Sequence, residues 1–175
     1  MSEISSDMKE RILSILVDNT PGVLGKISGL FSRRGYNIDS MTAGATENEA
    51  FSRITVVVRG DDQVLDQIEK QLAKLEDVRS IKVLKHGERV CRELILITIA
   101  ATDKERPAII AIADIFRAKI VDVGPDTLMI ELTGNQNKLD AFVNLVNGYE
   151  IKEMVRTGVT GLSRGARDMF DELED

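Results

Sequence analysis

A chain of 175 residues, 43% hydrophobic and 30% charged, has the material for one medium or two small folded domains. A net charge of −6 disfavours a nucleic-acid surface, and a single cysteine, Cys91, excludes an internal disulfide and points to a reducing compartment. No apolar run approaches the roughly 18 residues of a membrane span, and the polar start at 1–7 lacks a signal-peptide pattern, so the chain reads as soluble and cytoplasmic.

In chain order, Arg11–Val17 is a compact apolar, β-branched run that predicts a strand. The stretch Asp18–Asp39 follows as a turn, a short helix that carries Gly25 and Gly29 in its body, and another turn at Gly35-Tyr36-Asn37-Ile38. Met41–Ala45 and Ser52–Arg59 are strand-like and are joined by the polar turn Thr46–Ala50, a hairpin signature. Asp61-Asp62 then stops the strand and reads as a helix cap ahead of Val64, Leu65, Ile68, Leu72 and Leu75, which recur at helical spacing. Ser80–Leu84 alternates as a strand. Strand, helix, strand, strand, helix, strand is the ferredoxin-like order.

The order then repeats. Glu93–Ile99 is a strand, Thr102-Asp103 can cap a helix running to about Arg117, and Pro107 falls in its first turn, where no N–H is needed. Ile120–Val123 and Asp126–Leu132 form a hairpin about Gly124-Pro125, followed by a helix at Lys138–Val146 and a strand at Glu150–Arg156. The segment GDDQVLDQI at Gly60 echoes GNQNKLDAF at Gly134, pairing Leu65 with Leu139 and Asp66 with Asp140. The fold class is therefore α+β, with two tandem βαββαβ domains at 8–85 and 93–162, a polar linker at 86–92 and an acidic tail at 163–175. The tail reads either as a solvated end or as a partner-docking segment.

Strand one carries Leu13, Ile15 and Val17 on one face and Ile12 and Leu16 on the other; Ile95, Ile97 and Ile99 oppose Leu94 and Leu96 in the same way. Helices cover one face of such a sheet, so the second apolar face predicts cover by the other domain or another subunit, and a homo-oligomer.

Catalytic signatures are missing. His86 is the one histidine and lies in the linker, Cys91 has no sequence neighbour to activate it, and no His/Cys cluster has metal-ligand spacing. No Walker lysine or dinucleotide fingerprint occurs. RNA binding by this fold needs aromatics on the third strand, and SRITVVVR has none. No catalytic residue and no metal ligand is singled out, which weakens an enzyme of this fold as a rival reading.

What remains is the glycine-marked helix. At about 100° per residue, Val23, Leu24, Ile27, Leu30 and Phe31 form one stripe that packs on the sheet, and Gly25 and Gly29 fall on nearly the opposite side. They are either neutral choices on a solvated face or a place that something approaches closely. Pro21 suits a first helical position, and Gly22 lies where unpaired N–H groups and the helix dipole can receive a carboxylate. Asn19 can cap the helix or offer its amide oxygen to a ligand amine. Asn19-Thr20-Pro21-Gly22 is thus a good helix start, a ligand site, or both.

The segments RILSILVDNTPGVLGKISGLFSRRGYNIDSMT, SRITVVV and GDDQVLDQIEKQLAKLEDV resemble the ACT domain of the small, regulatory subunits of acetolactate synthase (acetohydroxyacid synthase). KLDAF and RTGVTGLSRG are similar to the C-terminal domain of that family, and the resemblance covers about residues 10 to 166. It implies a non-catalytic subunit that activates a separate catalytic subunit and confers feedback inhibition by branched-chain amino acids, usually valine. Thiamine diphosphate, Mg and FAD are implied for the catalytic partner and none of them for this chain. The resemblance also implies that ACT domains pair and bind effector between them. Asn19, Gly22, Val23 and Leu24 would form one wall, with Asn37 and Ile38 of a second copy forming the other. Thr20-Pro21 stands where some members carry a Glu-Ser or similar pair. The alternative is a free-standing tandem sensor that regulates transcription or another enzyme, although no recognition helix or basic patch for DNA is present.

Overall fold

A computed structural model describes residues 8–165, and the chain divides into two units, 1–90 with 159–175 and 91–158. The first unit is built from β1 (Lys9–Asp18), α1 (Val23–Arg34), β2 (Asn37–Ala45), β3 (Phe51–Gly60), α2 (Asp62–Ala73) and β4 (Val78–Val83). Its strands lie in the order β2–β3–β1–β4, all antiparallel, as the sequence order predicts for a ferredoxin-like domain. Leu13, Ile15 and Val17 of β1 and Ile54, Val56 and Val58 of β3 meet Val23, Ile27, Leu30 and Phe31 of α1 and Leu65, Ile68 and Leu72 of α2 in one core. Each such aliphatic side chain contributes about 1.5–3 kcal/mol by leaving water.

The second unit repeats this plan. β5 (Arg89–Ala100) enters it, followed by α3 (Arg106–Ile115), β6 (Lys119–Val123), β7 (Thr127–Gly134), α4 (Gln136–Val146) and β8 (Ile151–Arg156), with strand order β6–β7–β5–β8. Ile95, Ile97, Ile99, Ile130, Phe142 and their neighbours form its core. The expected linker at 86–92 is a strand from Arg89 onward, because β5 begins there.

The first helices of the two units, α1 and α3, end alike and begin differently. At the end of α1, Gly35 (φ 64°) lets Tyr36 N–H donate to Phe31 O (3.1 Å). At the end of α3, Arg117 (φ 57°) takes the same left-handed conformation, and Ala118 N–H donates to Ala113 O (2.8 Å). Both are Schellman closures. The expected continuation of α3 to Arg117 therefore stops at Ile115, two residues earlier.

A four-residue strand, β9 (Thr160–Ser163), has no counterpart in the expected elements. It pairs with β5 and lies against β3, and Arg164 N–H donates to Glu88 O (2.7 Å). Residues 159–162, expected in the second domain, thus return to the first unit. They settle on its helix-free face, where Ile12, Ser14, Leu16, Thr55 and Val57 are buried. Part of the cover expected from another domain or subunit is therefore supplied by the chain's own return segment. The acidic tail lies outside the described residues beyond 165.

Candidate functional site

β1 ends at Asp18 and the chain must turn sharply to start α1. Gly22 makes that turn with φ 86°, a conformation that costs other residues about 1–2 kcal/mol. The helix starts at Val23, two residues after the first helical position expected for Pro21, and Lys26 N–H donates to Gly22 O (3.0 Å). No side chain caps it and its first turn holds no acidic residue, whereas Arg33 and Arg34 complement the dipole at its other end. The N–H groups of the first turn point outward without intrahelical partners.

Two of the other helices are closed by the side chain of their N-cap residue. Asp61 accepts from Val64 N–H (2.8 Å) at α2, and Asn135 accepts from Lys138 N–H (2.9 Å) at α4. Ahead of α3, Thr102 Oγ1 donates to Glu105 Oε1 (2.8 Å), Thr102 N–H reaches the same carboxylate (3.3 Å), and Glu105 N–H donates back to Thr102 Oγ1 (3.3 Å). That reciprocal exchange is a capping box. Neither α1 nor α3 is capped by its N-cap side chain, but the approach to α3 is bridged by Thr102 and Glu105 and the approach to α1 has no such exchange among the described residues.

The open start of α1 faces a pocket of about 150 Å³ lined by Val17, Asp18, Asn19, Thr20, Gly22, Val23, Leu24, Ala43, Ser52 and Ile54. Four expected site residues, Asn19, Gly22, Val23 and Leu24, come together here. Asn37 and Ile38 are not among the lining residues; Asn37 is exposed on β2, and Ile38 packs on the core. Leu24 was expected in the buried stripe but is 48% exposed. It lies at the edge of the stripe set by Val23, Ile27, Leu30 and Phe31, and it forms pocket wall instead.

Asn19 does more local work than expected. Its Nδ2 donates to Glu49 O (3.1 Å), its Oδ1 accepts from Ser52 Oγ (3.2 Å), and its N–H donates to Ala50 O (2.8 Å). The side chain ties the approach to α1 onto the β2–β3 turn and so holds the pocket rim. Asp18, Ala43, Ser52 and Ile54 were not singled out from the sequence. Asp18 directly precedes Asn19 and could have been included, but Ala43 and Ile54 meet only through the β2–β3 register.

A charged frame surrounds the rim. Arg79 holds Asp18 through two bonds of 2.7 Å, and this keeps the guanidinium protonated beyond its ordinary range. Lys26 Nζ lies 2.7 Å from Asp77, which also accepts from Thr20 Oγ1 (3.3 Å). The hydrogen bond from Lys26 pulls the Asp77 carboxyl below its ordinary pKa. With Asp18 and Asp77 both matched by cations, the helix start is free to attract a further anion.

Gly25 and Gly29 lie off the core as helical geometry predicts; Gly25 is exposed with open space around it, and Gly29 has only Arg33 Nη1 at 3.5 Å from a built Cβ. Among the described residues, no group of three metal-ligating side chains occurs and no helix is long and apolar enough to cross a membrane.

Fold and site together describe a tandem ACT-type protein: two βαββαβ units, one of which opens a small pocket at its first helix. A model of the acetohydroxyacid synthase small subunit-like ACT domain matches residues 13–80, and one of the small subunit of acetolactate synthase matches 92–165. A protein named "Probable acetolactate synthase small subunit" from Methanothermobacter thermautotrophicus is 46% identical over 95% of this chain and 99% of its own length. The acetolactate synthase isozyme 3 small subunit of Escherichia coli is 44% identical over 91% of this chain and 98% of its own. The crystal structure of the Thermotoga maritima acetolactate synthase small subunit superposes with a TM-score of 0.85 at 39% identity, covering 91% of this chain and 99% of that one. The chain belongs to the acetolactate synthase small-subunit family.

Proposed function

We propose that the chain raises the activity of a catalytic acetolactate synthase subunit in the cytoplasm and makes it sensitive to feedback inhibition by a branched-chain amino acid, valine foremost. The observation that carries this reading is the uncapped start of α1 facing a small pocket with apolar walls. An amino-acid carboxylate meets the free N–H groups of the first turn. Its aliphatic side chain rests among Val17, Val23, Ala43 and Ile54, which line the pocket with Gly22. A volume of about 150 Å³ is on the scale of a cavity that takes up a benzene ring, which suits a small aliphatic side chain. Asn37 and Ile38 of a second copy complete the site, so the working form is a homodimer or larger. Thiamine diphosphate, Mg and FAD belong to the catalytic partner. Inhibition follows when valine binds the less active arrangement of the complex more tightly than the active one.

Two substitutions at Gly22 separate charge from shape. Asn and Asp tolerate a left-handed conformation about equally, and a Cβ at Gly22 meets open space. Gly22→Asp sets a carboxylate against the ligand's own, and like charges about 4 Å apart cost several kcal/mol near a protein surface. The expected outcome in the reconstituted complex is that Gly22→Asp loses valine inhibition by well over tenfold, Gly22→Asn loses much less, and both still activate. Equal valine sensitivity in the Asp variant and the wild type sinks the site assignment.

A further inference from the structure

We propose that Ser40 and Thr42 are positioning residues for inhibition: their hydroxyls tie the strand beside the effector site to the return segment at Val159, and this tie makes the inhibited arrangement follow occupancy of the site. The inference rests on the effector reading above.

β2 begins with Asn37 and Ile38 and is interrupted by a bulge between Ile38 and Ser40. Asp39, the extra residue, is gripped by Arg59 of β3, which also reaches Glu10 of β1 (3.4 Å). Beyond the bulge, Ser40 opposes Val57 and Thr42 opposes Thr55, so both hydroxyls stand on the helix-free face. There Val159 N–H donates to Ser40 Oγ (3.3 Å) and Thr42 Oγ1 donates to Val159 O (2.9 Å). Val159 is only 8% exposed, and both of its peptide groups end on side chains of one strand. A buried peptide group follows its hydrogen-bond partners, because leaving them unpaired is costly.

The chain on the other side of Val159 has little slack. Thr157 N–H donates to Leu94 O (2.9 Å), and Thr157 Oγ1 accepts from Leu94 N–H (2.9 Å), which fixes Thr157 within the second unit. Gly158 alone separates that anchor from Val159. A shift of β2 at Asn37 and Ile38 is therefore carried to Val159 by two hydroxyls. Apolar packing on that face would need no hydroxyl at either position. Val in place of Thr42 keeps the shape and removes the donor.

The test uses the full chain reconstituted with its catalytic subunit, with valine as the probe and three readouts: calorimetric valine binding, activation, and inhibition. The Ser40→Ala/Thr42→Val variant is expected to bind valine within about twofold of wild type and to activate normally. Its inhibition is expected to weaken at least about fivefold, the lower end of ordinary allosteric couplings. Thr42→Ser, which keeps the donor, is expected to stay inhibited. If the double variant does not fold, Thr42→Val and Thr42→Ser carry the same comparison. Undiminished inhibition overturns the relay, as does loss of inhibition in Thr42→Ser or a parallel loss of valine binding. Absence of valine binding to the wild type overturns the effector reading, and the relay falls with it.

Discussion

The two units share strand order, core layout and the Schellman closure of their first helix, and they part company at that helix's start. In the first unit, Asn19 N–H donates to Ala50 O (2.8 Å) and the helix opens uncapped onto a pocket. In the second, Ala101 N–H makes the matching bond to Asp126 O (2.7 Å), but the next four residues close the start. Glu105 brings its own carboxylate to Thr102, and Arg106 Nη2 donates to Gly124 O (2.5 Å) and Pro125 O (2.7 Å), pinning the hairpin turn. One fold position is thus unbridged in one unit and bridged from within in the other. The difference teaches that the βαββαβ frame does not by itself make a site; whether the helix start is satisfied from within does.

Four substitutions break or sharpen that contrast. The largest effect is expected from Asn19→Ala, which removes both side-chain bonds to the β2–β3 turn. Two exposed hydrogen bonds contribute about 1–2 kcal/mol together, so chemical denaturation should show that loss, with weaker valine inhibition beside it. Glu105→Ala should cost about 1 kcal/mol through the lost capping box and leave valine inhibition unchanged. A change in inhibition would contradict the assignment of the site to the first unit alone. Arg117→Gly supplies the residue that Gly35 already provides in the first unit, and should stabilise the protein by about 0.5–1 kcal/mol, visible as a rise in Tm.

The smallest effect is expected from Asp77→Asn, and it is a matter of pH. The folded-state pKa of Asp77 is depressed, chiefly by its hydrogen bond from Lys26. Its contribution is therefore present above the unfolded value near about 4 and is lost as pH falls through the lower folded value. Wild type should exceed the variant slightly at pH 7, and the gap should close in acid. A gap that persists at pH 2 would show that the bond to Lys26 is not its source.

Much of this was legible in the chain. Hydrophobic periodicity located both sheets and all four helices, and Asp61 was readable as a cap because Asp before a helical apolar pattern has a direct hydrogen-bonding role there. Val23, Ile27, Leu30 and Phe31 are buried and Gly25 lies outward, as a helical wheel requires. The start of α1 was placed two residues early because Pro21 fits a first helical position on φ alone. Only the left-handed turn at Gly22 moves the helix on. Asn19 looked available to a ligand because its partners, Glu49 and Ser52, are thirty or more residues away and reach it only through the hairpin. β9 escaped detection for a related reason: the four residues TGLS have no usable period, and their pairing is decided by tertiary contact.

The bridged start of α3 has a consequence for counting. On the proposed effector reading, a chain with two similar units but one open pocket at a helix start should take up one effector molecule, not two. At saturation, the number bound per assembly then equals the number of these chains in it. Titration of the complex becomes a direct census of its regulatory subunits, independent of mass or shape.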